Sequence, residues 1–516
     1  MFQISVSGLA WLLGLSVLAC LVTLAVMPWL TRIASRNGLV DRPSHRKRHP
    51  GPTPACGGVA LFLGLLPMFA GLLALSLLHA KSLEIKDLPK ILSLFCACAW
   101  ILMLGIMDDK KGLQWSLKLV GQGVGVGILA LGGHTIKAVT LPIFGVVTFG
   151  WFGVVVFGLL LIAITNAINL IDGLDGLAAG ICLFAGIAGG CTALIKGDPL
   201  VAILQFSVVG ALLGFLPYNW PPAKVFLGDG GSMMLGFYLG TVAMSSAAVS
   251  TPGQRSAMFT TLVAPFLPFS IALLDVVLSI VRRWLRGRKI YLPDADHLHH
   301  RLATAFHSPV LVNVVVYSFS AVLAGMAVLT SASPGWAASP VIPISVIVLL
   351  TGLTVILLRT YRVDPLRHLP RVFAERAHYK FLDLYADFMT ARIARAKSVS
   401  ECLALLESGV RDLQFDSVIL YNGNTPIRRW HNPTPVHLGS PRTILAESIS
   451  GSSLLVKAVV PEHERKSYND TLVSSWNKLL TAFSRRLRAI APNLDLELTL
   501  LHPEEVEQRP ALDGVL

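Results

Sequence analysis

The chain has 516 residues, 53% of them hydrophobic and only 14% charged, which excludes an ordinary soluble globular protein. Of its net charge of +13, residues 1–358 carry +10, from 22 Lys/Arg against 12 Asp/Glu. Nucleic-acid binding is a poor explanation of that balance, because orientation in a membrane already accounts for it.

Several apolar runs reach about 18 to 22 residues, enough to cross a hydrocarbon core of roughly 30 Å. Eleven spans are predicted, at 8–30, 57–79, 90–107, 117–133, 152–170, 174–195, 199–217, 232–249, 258–281, 308–331 and 339–358. The expected fold class is an all-α polytopic membrane protein with a C-terminal cytoplasmic α+β domain. The first run has no basic region before it and no convincing cleavage site, so it reads as a retained span. Seven scattered cysteines with no CxxC pair suggest neither structural disulfides nor zinc.

Alternate loops differ in charge. One set (31–56, 108–118, 171–173, 218–231 and 282–307) holds 16 Lys/Arg and the other set six, which places the first set in the cytoplasm and the N-terminus outside. An odd number of spans then leaves the tail inside. Acidic residues share the bias: Asp41, Asp108, Asp109, Asp172, Asp175, Asp229, Asp294 and Asp296 all lie in or beside inner loops. Carboxylates obey the positive-inside rule only weakly, so a shared active site on that face is the better cause.

In chain order, the first inner loop reads DRPSHRKRHPGPTPACGG (41–58), basic and proline-rich, as a purely topogenic loop would also be. The second, GIMDDKKGLQWSLK (105–118), sets Asp108 beside Asp109 at the foot of a span. Next comes ITNAINLIDGLDGLAAG (164–180), with Asn166, Asn169, Asp172 and Asp175 at three-residue spacing between two apolar runs. A step of three residues rotates a helical side chain by about −60°, so the four cannot share one helical face. The Asp-Gly pairs at 172–173 and 175–176 favour a break in the helix there. The stretch is a polar turn between two spans or, as carboxylates this near hydrocarbon suggest, a polar functional cleft. The fourth loop, PYNWPPAKVFLGDGGS (217–232), surrounds Asp229 with glycines that let backbone N–H groups approach a phosphate or metal-bound oxygen. The fifth, RRWLRGRKIYLPDADHLHHRL (282–302), clusters His297, His299, His300 and Arg301, which suits a phosphate clamp at least as well as zinc. Asp275, inside the ninth span and seven residues before Arg282, is either half of an ion pair or functional.

The tail changes character. After a linker at 359–375, residues 376–413 read as helices, 416–422 and 453–460 as strands, NGNTP (422–426) as a turn and 466–490 as an amphipathic basic helix. It carries no catalytic motif.

Together, DD (108–109), NxxNxxDGLDGLA (166–178), VFLGDxGS (225–232) and HLHHRL (297–302) resemble the polyprenyl-phosphate N-acetylhexosamine-1-phosphate transferase family. The RKRHPGPTPACGG segment and the HLHH form look more like its WecA/TagO branch than its MraY branch. The resemblance covers roughly residues 1–358; Ala55-Cys56 before Gly57-Gly58 and the long tail depart from simple members. It implies transfer of a sugar-1-phosphate, most directly GlcNAc-1-phosphate, from a UDP-sugar to undecaprenyl phosphate, with UMP released. It implies Asp108, Asp109, Asp172 and Asp229 as catalytic residues, and Asn169 and Asp229 as ligands of Mg²⁺, with Mn²⁺ the alternative. By the same resemblance Lys118, Asn166, Asp175, Phe226, His297, His299, His300 and Arg301 bind substrate. Lys118 then meets the pyrophosphate, Phe226 the uracil, Asp175 the nucleoside side, and the His-Arg loop the sugar and phosphate. The implied partners are UDP-N-acetylhexosamine, undecaprenyl phosphate and the lipid bilayer, with a homodimer and an unidentified partner of the tail as further expectations. The implied location is a bacterial cytoplasmic membrane. A secondary transporter is the rival reading, but transporters hold broken helices near the midplane, often in inverted repeats, whereas these acidic motifs lie at inner ends.

Overall fold

In the computed structural model, the described residues are 6–41, 51–78, 88–141, 145–247, 264–285, 302–303, 306–332, 369–413, 415, 417–422, 425–431, 442–448, 454–461 and 466–490. Apolar runs with no side-chain partner for a free backbone form helices, since every peptide group must be satisfied within the bilayer. These are α1 (Val6–Arg36), α2 (Gly57–Leu78), α3 (Leu88–Lys111), α4 (Trp115–Leu131), α5 (Phe152–Ile171), α6 (Leu177–Lys196), α7 (Pro199–Asn219), α8 (Gly228–Ala247), α9 (Ser270–Leu285, after a 3-10 turn at Ala264–Phe269) and α10 (Pro309–Ala332). Ten of the predicted spans meet helices; the eleventh, 339–358, lies outside the described residues. Seven of the described helices are long and apolar enough to cross a membrane, with α4 and α9 shorter. The chain is a helical polytopic membrane protein.

The bundle is arranged about α8. Met233, Met234, Leu235, Phe237, Tyr238 and Leu239 are all within 1% of full burial, so this helix is enclosed on every side. It packs against α2, α3, α5, α6 and α7, while α1 lies along α7 and α2, and α10 along α6. Within the membrane unit two short antiparallel strand pairs interrupt the all-α expectation. β1 (Val40–Asp41) pairs with β2 (Thr53–Pro54) between α1 and α2, and β3 (Ala138–Leu141) with β4 (Gly145–Thr148) between α4 and α5.

The chain divides into two compact units, residues 1–280 with 293–364, and residues 281–292 with 365–516. The second contains α11 (Leu369–Arg395), α12 (Val399–Asp412), four strands and α13 (Lys466–Ile490). The helix α11 begins inside the expected linker, at Leu369. The strands β5 (Ser417–Asn422), β6 (Thr425–His431), β7 (Arg442–Ser448) and β8 (Leu454–Pro461) form an antiparallel sheet in the order β6-β5-β8-β7. β6 and β7 were not legible because their Arg, Glu and Trp residues break the apolar pattern. Asn422 pairs with Thr425 at the end of the β5–β6 ladder, while Gly423 and Asn424 of NGNTP lie outside the described residues. Trp476, Leu479 and Phe483 of α13 pack with Leu406, Phe415, Val418 and Leu420 into a separate core. Lys478 of the same helix bonds Asp383 and, at 3.2 Å, Asp387 of α11.

Candidate active site

The site forms where α3 ends and α8 begins. The two helices touch through glycines: a Cβ on Gly105 would stand 2.3 Å from Gly230 Cα, and one on Gly58 of α2 would stand 2.4 Å from Gly231 Cα. No side chain fits between them, so the first turn of α8 is gripped by backbone on two sides. The segment before α8 is held as well. Phe226 N–H donates to Pro54 C=O at 2.8 Å, and Gly57 and Gly58 N–H donate to Phe226 and Leu227 C=O at 3.0 Å each. The ACGG segment is thus the seat of the VFLGD turn. Gly228, at φ +75°, allows the turn to enter the helix.

The adjacent carboxylates at the foot of α3 diverge. Asp108 is buried, accepts Leu113 N–H at 2.8 Å and pairs with Lys118 at the start of α4. Lys118 also stands 3.7 Å from Asp229. Asp109 is exposed and accepts the N–H groups of Asp229 at 3.0 Å and Gly230 at 3.3 Å.

The helix break expected at the Asp-Gly pairs is present. α5 stops at Ile171, Asp172 caps it, and α6 starts after Gly176 at φ +77°. Four side chains not singled out in the sequence fix this region. Asn219, 3% exposed at the end of α7, accepts Gly176 N–H at 3.0 Å and donates to Val225 C=O at 2.9 Å. It joins the carboxylate turn to the Gly-Asp turn. Asp175 makes a second link by accepting Ala223 N–H at 2.8 Å. From α10, Asn313 donates to Asp175 C=O at 2.7 Å and Tyr317 to Gly176 C=O at 2.6 Å. Gln122 of α4 exchanges hydrogen bonds with Asn166, at 2.8 and 3.3 Å. For Gln122, Asn313 and Tyr317 the signal available was an amide or phenol inside an apolar run, which must find a partner.

Electrostatics mark the cleft. Burial, then repulsion from Asp229, Asp109 and Asp175, holds the Asp172 carboxyl well above the usual range. Asp172 keeps partial solvent contact, but protein surrounds it on most sides. Asp229 is pushed up to about 7, first by burial and then by its hydrogen bond with Asp108 and the charge of Asp109, against the pull of Lys118. Carboxylates forced together in this way favour a cation among them. The Ser232 hydroxyl stands 3.1 Å from both Asn169 Oδ1 and Gly228 C=O and shares its one proton between them, so Asn169 on α5 is tied to the turn bearing Asp229. Among the described residues no three His, Cys, Asp or Glu side chains are grouped to hold a metal. One carboxylate and one amide oxygen suit Mg²⁺, which keeps waters and phosphate oxygens as its other ligands. They do not suit an all-protein zinc site.

Asp108, Asp109, Lys118, Asn166, Asn169, Asp172, Asp175, Phe226 and Asp229 therefore come from the facing ends of α3, α4, α5, α6 and α8. The Phe226 ring is half-buried beside the turn. His297, His299, His300 and Arg301 lie outside the described residues. Asp275 is fully buried within α9.

Fold and site define a polytopic membrane protein with a carboxylate-rich polar centre at one end of its bundle. The glycosyl transferase family 4 model matches residues 91–247, the segment that contains every described site residue. A Mycobacterium tuberculosis (strain H37Rv) protein named decaprenyl-phosphate N-acetylglucosaminephosphotransferase is 34% identical over 329 residues, covering 61% of this chain and 80% of that one. A Bacillus subtilis (strain 168) protein named a probable undecaprenyl-phosphate N-acetylglucosaminyl 1-phosphate transferase is 32% identical over 322 residues, 62% of this chain and 85% of that one. The phospho-N-acetylmuramoyl-pentapeptide-transferase of Moorella thermoacetica is 32% identical over 336 residues, 61% of this chain and 97% of that one. The chain belongs to glycosyl transferase family 4.

Proposed function

We propose that the protein transfers N-acetylhexosamine-1-phosphate, most directly GlcNAc-1-phosphate, from a UDP-sugar to undecaprenyl phosphate, the priming step of a cell-surface polysaccharide. The observation that carries this reading is the convergence of Asp108, Asp172, Asp175 and Asp229 with Lys118 and Asn169 at one end of the bundle, where a lipid phosphate and a soluble nucleotide can meet. An oxygen of the lipid phosphate forms a bond to the β-phosphorus, the bond to the bridging oxygen breaks, and UMP leaves. Such transfers depend chiefly on alignment and charge neutralisation.

Asn169 and Asp229 would hold Mg²⁺, with Ser232 orienting Asn169. When bound, the ion neutralises pyrophosphate oxygens and eases departure of UMP. Lys118, steered by Asp108, presents its ammonium to the phosphates. The fused links through Asn219 and Asp175 hold the carboxylate turn and the Phe226 turn as two walls of the nucleotide subsite. His297, His299, His300 and Arg301 supply further phosphate and sugar contacts in this reading, by resemblance. The reading includes eleven spans in a bacterial cytoplasmic membrane, and the charge bias of the loops then supports site and tail on the cytoplasmic side.

The test is UMP release from membranes containing the protein, supplied with polyprenyl phosphate, Mg²⁺ and a panel of UDP-amino sugars. Release with UDP-GlcNAc is expected. Release only with UDP-MurNAc-pentapeptide would move the protein to the function of the Moorella relative, and no release with any member of the panel would end the transferase reading.

A further inference from the structure

We infer that Asp109 is a positioning residue that caps, from a neighbouring helix, the first turn of α8 and so fixes where Asp229 stands. An α-helix begins with N–H groups that lack intrahelical partners, and a side-chain oxygen just before the first turn normally satisfies one of them. Leu227 before the helix and Gly228 at its first position carry no such oxygen. The acceptor comes instead from α3. Asp109 Oδ1 takes the N–H of Asp229 at 3.0 Å and Oδ2 that of Gly230 at 3.3 Å. Its negative charge also lies at the positive end of the helix, where charge is favoured. The local sequence is shaped to admit it. A Cβ on Gly228 would approach Asp109 Oδ2 to 2.9 Å, and the contact of Gly105 with Gly230 brings α3 close enough for the carboxylate to reach.

Asp108 makes the contrast clear. It turns to Leu113 and Lys118, meets only the side chain of Asp229, and takes no backbone N–H of α8 among the described bonds. Two adjacent carboxylates thus divide the work: Asp108 orders Lys118, and Asp109 orders the turn that carries Asp229. The inference rests on the reading of Asp229 as a metal ligand only for its functional consequence, since the cap itself is independent of any metal.

The experiment uses the full-length protein in detergent as wild type, Asp109→Ala, Asp109→Asn and Asp229→Asn. Hydrogen exchange over residues 227–233 is measured without metal, and UMP release is measured against Mg²⁺ concentration. Asn keeps an acceptor for Asp229 N–H, the shorter of the two bonds, while losing the charge and the bond from Gly230 N–H. In Asp109→Ala, exchange at residues 229 and 230 should quicken about tenfold, with α6 unchanged. Turnover should fall about 100-fold, as for a misplacement of about 1 Å, and the Mg²⁺ requirement should rise. Asp109→Asn should recover part of both losses, with exchange slowed at residue 229 more than at 230. Unchanged exchange at 229–230 in Asp109→Ala, or equal inactivity of Asn and Ala with an unaltered Mg²⁺ requirement, would overturn the inference. If Asp109→Ala does not fold, Asp109→Asn decides: exchange at residue 229 as slow as in the wild type together with turnover as low as that of Asp229→Asn would show that the charge of Asp109, and not the cap, sets activity. An Asp229→Asn protein with a wild-type Mg²⁺ requirement would instead overturn the metal reading of Asp229, while the exchange data still decide the cap.

Discussion

Gly105→Ala separates site geometry from stability. The new Cβ would meet Gly230 Cα at 2.3 Å, Gly230 N at 2.4 Å and Asp229 C at 2.7 Å, all of them backbone atoms that no rotamer change can move. Carbon atoms rest about 3.5–4.0 Å apart, so α3 and α8 must part by more than about 1 Å. Overpacking of this kind costs about 1–3 kcal/mol, and replacing a mid-helix glycine returns about 0.5–1 kcal/mol of it. The net loss of stability is therefore modest. Turnover is more sensitive, because Asp229 then shifts relative to Asp108 and Lys118, and a displacement of about 1 Å costs about 100-fold. The control is Gly123→Ala on α4, where nothing lies within 4 Å of the new carbon. Melting in detergent and UMP release should show Gly105→Ala folded but slowed about 100-fold, with Gly123→Ala fully active. Turnover of Gly105→Ala within threefold of that control would refute the backbone-contact reasoning.

Asn219→Asp should lower the melting temperature, because the carboxylate still accepts Gly176 N–H but faces Val225 C=O with no proton to give, a cost of about 1–3 kcal/mol; an unchanged melt would contradict the two-ended link. Asp108→Asn should stay impaired from pH 6 to 9, since Asp108 holds Leu113 N–H and Lys118 and alkali restores neither. The lipid phosphate has its second pKa near 6, so recovery above that pH would show that Asp108 acts as a base. Deletion of residues 369–516 should leave basal UMP release in detergent, because every described site residue precedes it. Inactivity of a folded truncation would show that the tail completes the site.

The apolar runs made ten helices legible, because the bilayer's demand for internal hydrogen bonds leaves little choice of structure. The break after Ile171 was legible from its Asp-Gly pairs. What stayed hidden depends on contacts between distant segments. Asp108 and Asp109 look like one unit in sequence, yet a single residue step on a helix rotates the side chain by about 100°, and they serve different neighbours. Asn219 sits in a turn-like PYNWPP stretch, and nothing local indicates that both ends of its amide are spoken for across the bundle. The Gly57-Gly58 pair became intelligible only when α8 was seen pressed against it. β6 and β7 were missed because an antiparallel sheet with one exposed face tolerates charged residues that blur the pattern.

The most direct measurement is product formation by the purified full-length protein given UDP-GlcNAc, undecaprenyl phosphate and Mg²⁺, with UMP and the lipid-linked sugar quantified together. Equimolar UMP and lipid-pyrophosphoryl-GlcNAc are expected, abolished by chelation of Mg²⁺ and in a folded Asp229→Asn protein. UMP formed without the lipid product, or undiminished transfer by Asp229→Asn at limiting Mg²⁺, would contradict sugar-1-phosphate transfer at this carboxylate centre.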